Sequence, residues 1–143
     1  MSHVHMWLGI AVLITNGIAG AWGAVAWQRG IPSLRFWWFL RAAQAAVAVQ
    51  VVFGFILLAR GEAAPDGLHV AYGVAPLVIT LVSEGMRVGA AQRELEGVPD
   101  VEALAREEQI AVARRVAMGE MGVMTVGALL ILTLSLRAFQ TGG

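Results

Sequence analysis

The sequence predicts an all-α integral membrane four-helix bundle with a cytoplasmic helical extension before the last span. Three observations carry this. Hydrophobic residues make up 58% of the 143-residue chain and charged residues only 14%, where a soluble domain carries roughly a quarter charged residues. The apolar residues gather into four runs, each long enough to cross about 30 Å of hydrocarbon at 1.5 Å per helical residue. Short turns rich in Gly, Pro and Arg separate the runs. The chain is therefore one domain, 1–143, with spans at about 6–28, 34–59, 68–88 and 116–136 and the extension at about 100–115.

The first span has no charged residue and carries Gly9, Gly17, Gly20 and Gly23, which allow close approach of a neighbouring helix or a flat ligand. No Lys or Arg precedes it, so we expect a retained helix and not a cleaved signal peptide. Arg29-Gly-Ile-Pro-Ser33 is a turn. The second span opens on Arg35-Phe-Trp-Trp-Phe39, expected as an interfacial belt, with Arg41 one turn deeper. Gln50 and Gly54 share a face near its end. Arg60 to Gly67 is a second turn, with Asp66 the expected N-cap of the third span. That span carries a polar stripe of His69, Gly73, Pro76, Thr80, Glu84 and Arg87 at steps of three and four. Pro99-Asp100 is expected to start the charged extension, with Asp100 as N-cap. The extension leads without a breaker into the fourth span, whose first turns hold Met118, Glu120, Met121 and Met124.

Charge and composition exclude several classes. The formal net charge is zero, so there is no basic face for nucleic acid. No cysteine is present, which removes disulfides, thiolate metal sites, Fe–S clusters and covalent c-type haem. Every cation is an arginine, and the arginines concentrate in the first turn and in the link between spans three and four. The positive-inside rule then puts those links in the cytoplasm and both termini outside, in the inner membrane of a prokaryote.

One phrase occurs twice. His5-Met-Trp-Leu-Gly9 opens the first span and His69-Val-Ala-Tyr-Gly73 the third, 64 residues later. Each places an imidazole at a helix start and a glycine one turn on, on the same face. Spans one and three run in the same direction, so both imidazoles lie at one depth near the outer face. In an up-down bundle they belong to diagonal helices, whose axes stand about 11–14 Å apart given neighbours at 8–10 Å. That spacing suits two imidazoles holding one haem iron, with Gly9 and Gly73 clearing room, Gln50 and Gly54 lining the same end, and Arg60 and Arg137 as propionate partners. The competing account makes both histidines solvated residues at helix ends. A further one joins His3 to His5 and His69, with Met6, as a Zn or Cu site.

At the other end, Glu84 and Glu120 are intramembrane acids at similar depth, near Arg41 and Arg87. Such acids are candidate proton sites. They also form the obvious ion pairs to hold helices in register. The methionines at steps of three read as packing and not as a copper site.

Gln50-Val-Val-Phe-Gly54, a turn, then Leu68-His69 resembles one half of haem A synthase, among the b-type membrane cytochromes with four-helix haem-binding bundles. There a helix ending in Gln-x-x-x-Gly is followed by one bringing a haem-ligating His. The resemblance covers about half the chain and implies that His69 is a haem ligand, with His5 as the candidate partner. The chain has one four-helix unit where that family has two, and lacks its cysteine pair. What is implied is haem b binding and electron transfer, not the synthase reaction.

The expected function is a small membrane cytochrome passing electrons, with quinol or a larger respiratory complex as partner. Two alternatives are an accessory or scaffold subunit of such a complex, and an oligomeric proton- or solute-linked transporter using Glu84 and Glu120. In each case the chain is expected as a homo-oligomer or a subunit.

Overall fold

A computed structural model describes residues 3–64, 67–98 and 100–141, which form four α-helices and no strand. α1 covers His3–Gln28, α2 Leu34–Ala59, α3 Gly67–Leu95 and α4 Arg106–Thr141. All four are long and apolar enough to cross a membrane. Two expected features, the Asp66 cap and a helix start at Pro99, lie outside the described residues.

α1 packs beside α2 and α4, and α3 packs beside the same two helices. Among the described residues α1 and α3 make no backbone contact, while α2 and α4 touch across the middle. The cross-section is therefore a lozenge, with the two His-bearing helices on its long diagonal. Short connections make the helices alternate in direction. Eight of the ten arginines fall at one end or in the links there; Arg60 and Arg137 fall at the other, beside the starts of α1 and α3.

Local chemistry sets the boundaries. α2 starts where expected because Ser33 caps it: its backbone is extended and its hydroxyl accepts from the Phe36 amide at 3.4 Å. The preceding turn needs Gly30, whose φ of 63° falls in the left-handed region, and Arg114 reaches the Gly30 carbonyl at 2.6 Å. α3 runs seven residues past the expected limit of 88, to Leu95. The added residues hold no breaker stronger than Gly89, and Glu94 pairs with Arg115 of α4 at 3.2 Å. Pro76 sits inside α3 without ending it. It removes the amide that would bond the Tyr72 carbonyl.

The expected helical extension needs correction. Residues 100–105 form turns, and α4 begins only at Arg106. Asp100 does not cap a helix. Its carboxylate accepts from the Glu102 amide at 2.9 Å, a local Asx bond that competes with helix formation. Gln109 braces the turn by donating to the Glu102 and Leu104 carbonyls. From Arg106 the helix is continuous for 36 residues, with Glu107 and Glu108 suiting the positive end of its dipole.

Three layers of buried side chains stack along the bundle. Nearest the His end are Val12, Val47, Val51 and Ile131. A waist of Ala19, Ala43 and Ala128 lets the helices close in. Toward the Arg-rich end lie Phe36, Leu40, Met121 and Met124. Phe36 thus leaves the expected interfacial belt and joins the core, fully buried, because Gly23 opens a slot for its ring. The methionines pack as expected. Trp7, Ile14, Leu81, Leu130 and many other large apolar side chains face outward, which fits helices bathed in hydrocarbon.

Candidate functional site

α1 and α3 bring His5 and His69 together across the long diagonal. Their ring centroids are 6.1 Å apart with planes at 60°. Both side chains are half-buried, in an end of the bundle lined mostly by apolar groups, with Gln50 and Ser135 as polar members.

α2 holds His5 in place. α1 and α2 are antiparallel, so His5-x-x-x-Gly9 meets Gln50-x-x-x-Gly54 head to tail. The imidazole lies over Gly54, where an added Cβ would stand 3.3 Å from its Cε1. The Gln50 carboxamide lies over Gly9, where an added Cβ would stand 3.4 Å from Nε2. The two side chains meet at 3.4 Å between Gln50 Nε2 and His5 Nε2, at the long end of hydrogen-bond range. Each glycine is the socket for the other helix's polar side chain. Gly9 therefore makes room for Gln50, and it also lines the inner cavity beside the two histidines.

The second copy of the motif differs. A Cβ at Gly73 would meet no atom within 4 Å. Gly73 faces two adjoining cavities that His5, His69 and Val51 also line. One, of about 170 Å³, reaches inward between all four helices to Val12, Val47, Pro76, Ser135 and Phe139. The other, of about 80 Å³, opens between α2 and α3 toward Glu62, Ala63 and Ala64.

Two buried polar oxygens in this region have no hydrogen-bond partner: Gln50 Oε1 and Ser135 Oγ. Ser135 was missed by motif reasoning. It continues the inward stripe Met121, Met124, Ala128, Ile131 at steps of three and four, and that spacing is the signal that finds it.

The remaining expected members fall elsewhere. Arg60 and Arg137 are exposed and line neither cavity; the charged residue at the mouth is Glu62. The expected Zn or Cu site completed by His3 does not form: among the described residues no three His, Cys, Asp or Glu side chains converge as metal ligands.

At the Arg-rich end the inner group assembles completely. Glu84 of α3 accepts from Arg41 at 2.5 Å and Gln44 at 2.8 Å, both of α2. Its other oxygen accepts from Arg87 at 2.8 Å, and Arg87 also donates to Glu120 of α4 at 2.7 Å. Arg41 and Arg87 both approach the Trp37 ring, at 6.0 and 5.8 Å. Two cations and two anions thus link three helices with each charge compensated. Gln44 is the member that sequence reasoning left unassigned.

Comparison with protein families, with characterised proteins and with solved structures found no match.

Proposed function

We propose that this chain is an integral membrane cytochrome that holds one haem b between His5 and His69. The observation that carries the proposal is the meeting of the two imidazoles from helices whose backbones do not touch, with cavity space at Gly73 beside them. With ring centres 6.1 Å apart, the two imidazoles are close enough for both to hold one metal ion at metal–nitrogen distances of roughly 2 Å. The donor set also fits: two neutral nitrogen ligands in an apolar cleft suit an iron already carrying four porphyrin nitrogens. A bare ion would find too few ligands here.

Bound haem supplies one-electron chemistry. The chain's own residues do the rest. His5 and His69 hold the metal. Gly73 leaves a gap beside His69 that a bulky side chain would fill. Val12, Val47 and Val51 keep water from the inner edge, and the cleft opens toward Glu62 and the α2–α3 turn. Ligation through Nε2 of His5 would displace the long Gln50 contact. The arginine distribution supports placing this end on the outer face, and quinol or a respiratory complex is the partner we propose.

The compensated charges around Glu84 support a structural clamp, so we do not carry the transporter alternative forward. An absorption spectrum tests the proposal. Reduced-minus-oxidised bands of a six-coordinate haem are expected from protein made in haem-supplied cells, and are lost in both His5→Ala and His69→Ala. A colourless preparation with intact helical content defeats it.

A further inference from the structure

A third concavity, larger than the two at the histidines, is remote from them. A groove of about 470 Å³ runs between α3 and α4, edged by Val78, Val82, Met86, Val126 and Leu130, with Trp27 of α1 reaching its floor at Gly122. Its walls are almost wholly apolar and its edges are exposed. From Val78 to Met86 it extends roughly 12 Å along α3, close to the ~15 Å hydrocarbon depth of a single leaflet.

Arginines follow the groove's end along each of the helices that line it. Arg115 lies one turn beyond Gly119 on the same face of α4, and Arg93 two turns beyond Met86 on α3. Arg29 follows Trp27, and Arg114 reaches into that same turn through the Gly30 carbonyl. All four arginines are exposed. Glu94, paired to Arg115, is the acid among them. An apolar slot whose end lies a turn or two along the helices from exposed arginines has the chemistry to take a chain with an anionic head. Guanidinium groups pair with phosphate in a bidentate fashion, and basic pockets between membrane helices on the cytoplasmic side recognise anionic lipids.

We propose that the α3–α4 groove binds an anionic phospholipid of the cytoplasmic leaflet. One acyl chain lies along Val82 and Val126, and the phosphate sits among Arg29, Arg93, Arg114 and Arg115. The proposal is independent of the haem site.

Native mass spectrometry tests it on the full chain released from nanodiscs of equal phosphatidylglycerol and phosphatidylcholine with identical acyl chains. Phosphatidylglycerol is expected to be retained at least tenfold over phosphatidylcholine. Arg93→Gln with Arg115→Gln is expected to abolish the preference. Filling the groove by Gly119→Leu, or by Val126→Trp at an exposed edge, is expected to remove both lipids, with circular dichroism reporting that the helices persist. Equal retention of the two lipids by the unaltered protein overturns the proposal. So does loss in only one class of variant, because the site requires both chain and headgroup contacts.

Discussion

Gln50 Nε2 stands 3.4 Å from His5 Nε2, and each side chain rests on the glycine one turn from the other. This exchange of sockets explains how a histidine so near the start of the chain stays in the bundle. Helix starts fray, and α1 has no acidic residue in its first turn. The Gly54 socket supplies what the helix end lacks.

Gly54→Val is therefore expected to push the imidazole off α2. In haem titrations of the purified protein we expect at least a tenfold loss of affinity, the scale seen when the surroundings of a metal ligand are disturbed. Gly73→Ala is the contrast, since its Cβ meets nothing within 4 Å and should change affinity less than threefold. Equal losses in the two variants would contradict the asymmetry between the two motifs.

The four-helix architecture was legible because composition and run length decide it: of the two structures that can span a bilayer, helices and closed barrels, only helices need continuous apolar runs of about 20 residues. The pairing of His5 with His69 was legible from the repeated motif and the parity of the spans. What could not be read was which glycine serves which partner. Gly9 and Gly73 occupy equivalent places in sequence, yet only Gly9 faces a neighbouring polar side chain, because α2 returns beside α1 in a register that no local pattern encodes. The start of α4 was missed for a different reason. Residues 100–105 have helix-compatible composition, and a single Asp100 bond to the Glu102 amide diverts them. Phe36 was assigned to the interface with its aromatic neighbours. Its burial depends on Gly23, a residue of another helix.

Glu84 is the hub of the Arg-rich end, and its removal leaves Arg87 with Glu120 and takes from Arg41 its carboxylate partner. Loss of one member of a buried ion pair costs several kcal/mol, while exposed pairs contribute little. The Arg41 side chain is 51% exposed and that of Glu84 27%, so Glu84→Gln is expected to cost about 1–2 kcal/mol in detergent unfolding. Adding Arg41→Gln should recover part of that loss. The haem spectrum should not change, because His69 and Glu84 stand about 22 Å apart along α3. A variant of unchanged stability that loses proton flux in liposomes would instead identify Glu84 as a transport residue.

Glycine positions separate packing from propensity. Replacing a helical glycine by alanine gains up to about 1 kcal/mol of helix propensity. At Gly85 an added Cβ meets nothing within 4 Å, so Gly85→Ala is expected to stabilise by roughly 0.5–1 kcal/mol. At Gly23 the same methyl collides with the Phe36 ring and the Thr125 hydroxyl. Overpacking of that kind costs about 1–3 kcal/mol, enough to reverse the sign. Thermal unfolding of the two variants in one detergent should move in opposite directions.

Thr125 offers the converse test, because its fault is polarity and not shape. It is 1% exposed and packs against Gly23, and its hydroxyl has no hydrogen-bond partner. A buried unpaired hydroxyl costs about 1–3 kcal/mol, and its replacement by an apolar group of the same shape releases that cost. Valine matches threonine in volume and in helix propensity. Thr125→Val is therefore expected to raise stability by about 1 kcal/mol. Thr125→Ser keeps the hydroxyl, deletes the methyl and should lower stability by about 1 kcal/mol through the small void left among Gly23 and Phe36. If valine destabilises while serine does not, the hydroxyl must be bonded to a group that the packing around Gly23 admits, and the contact there is polar.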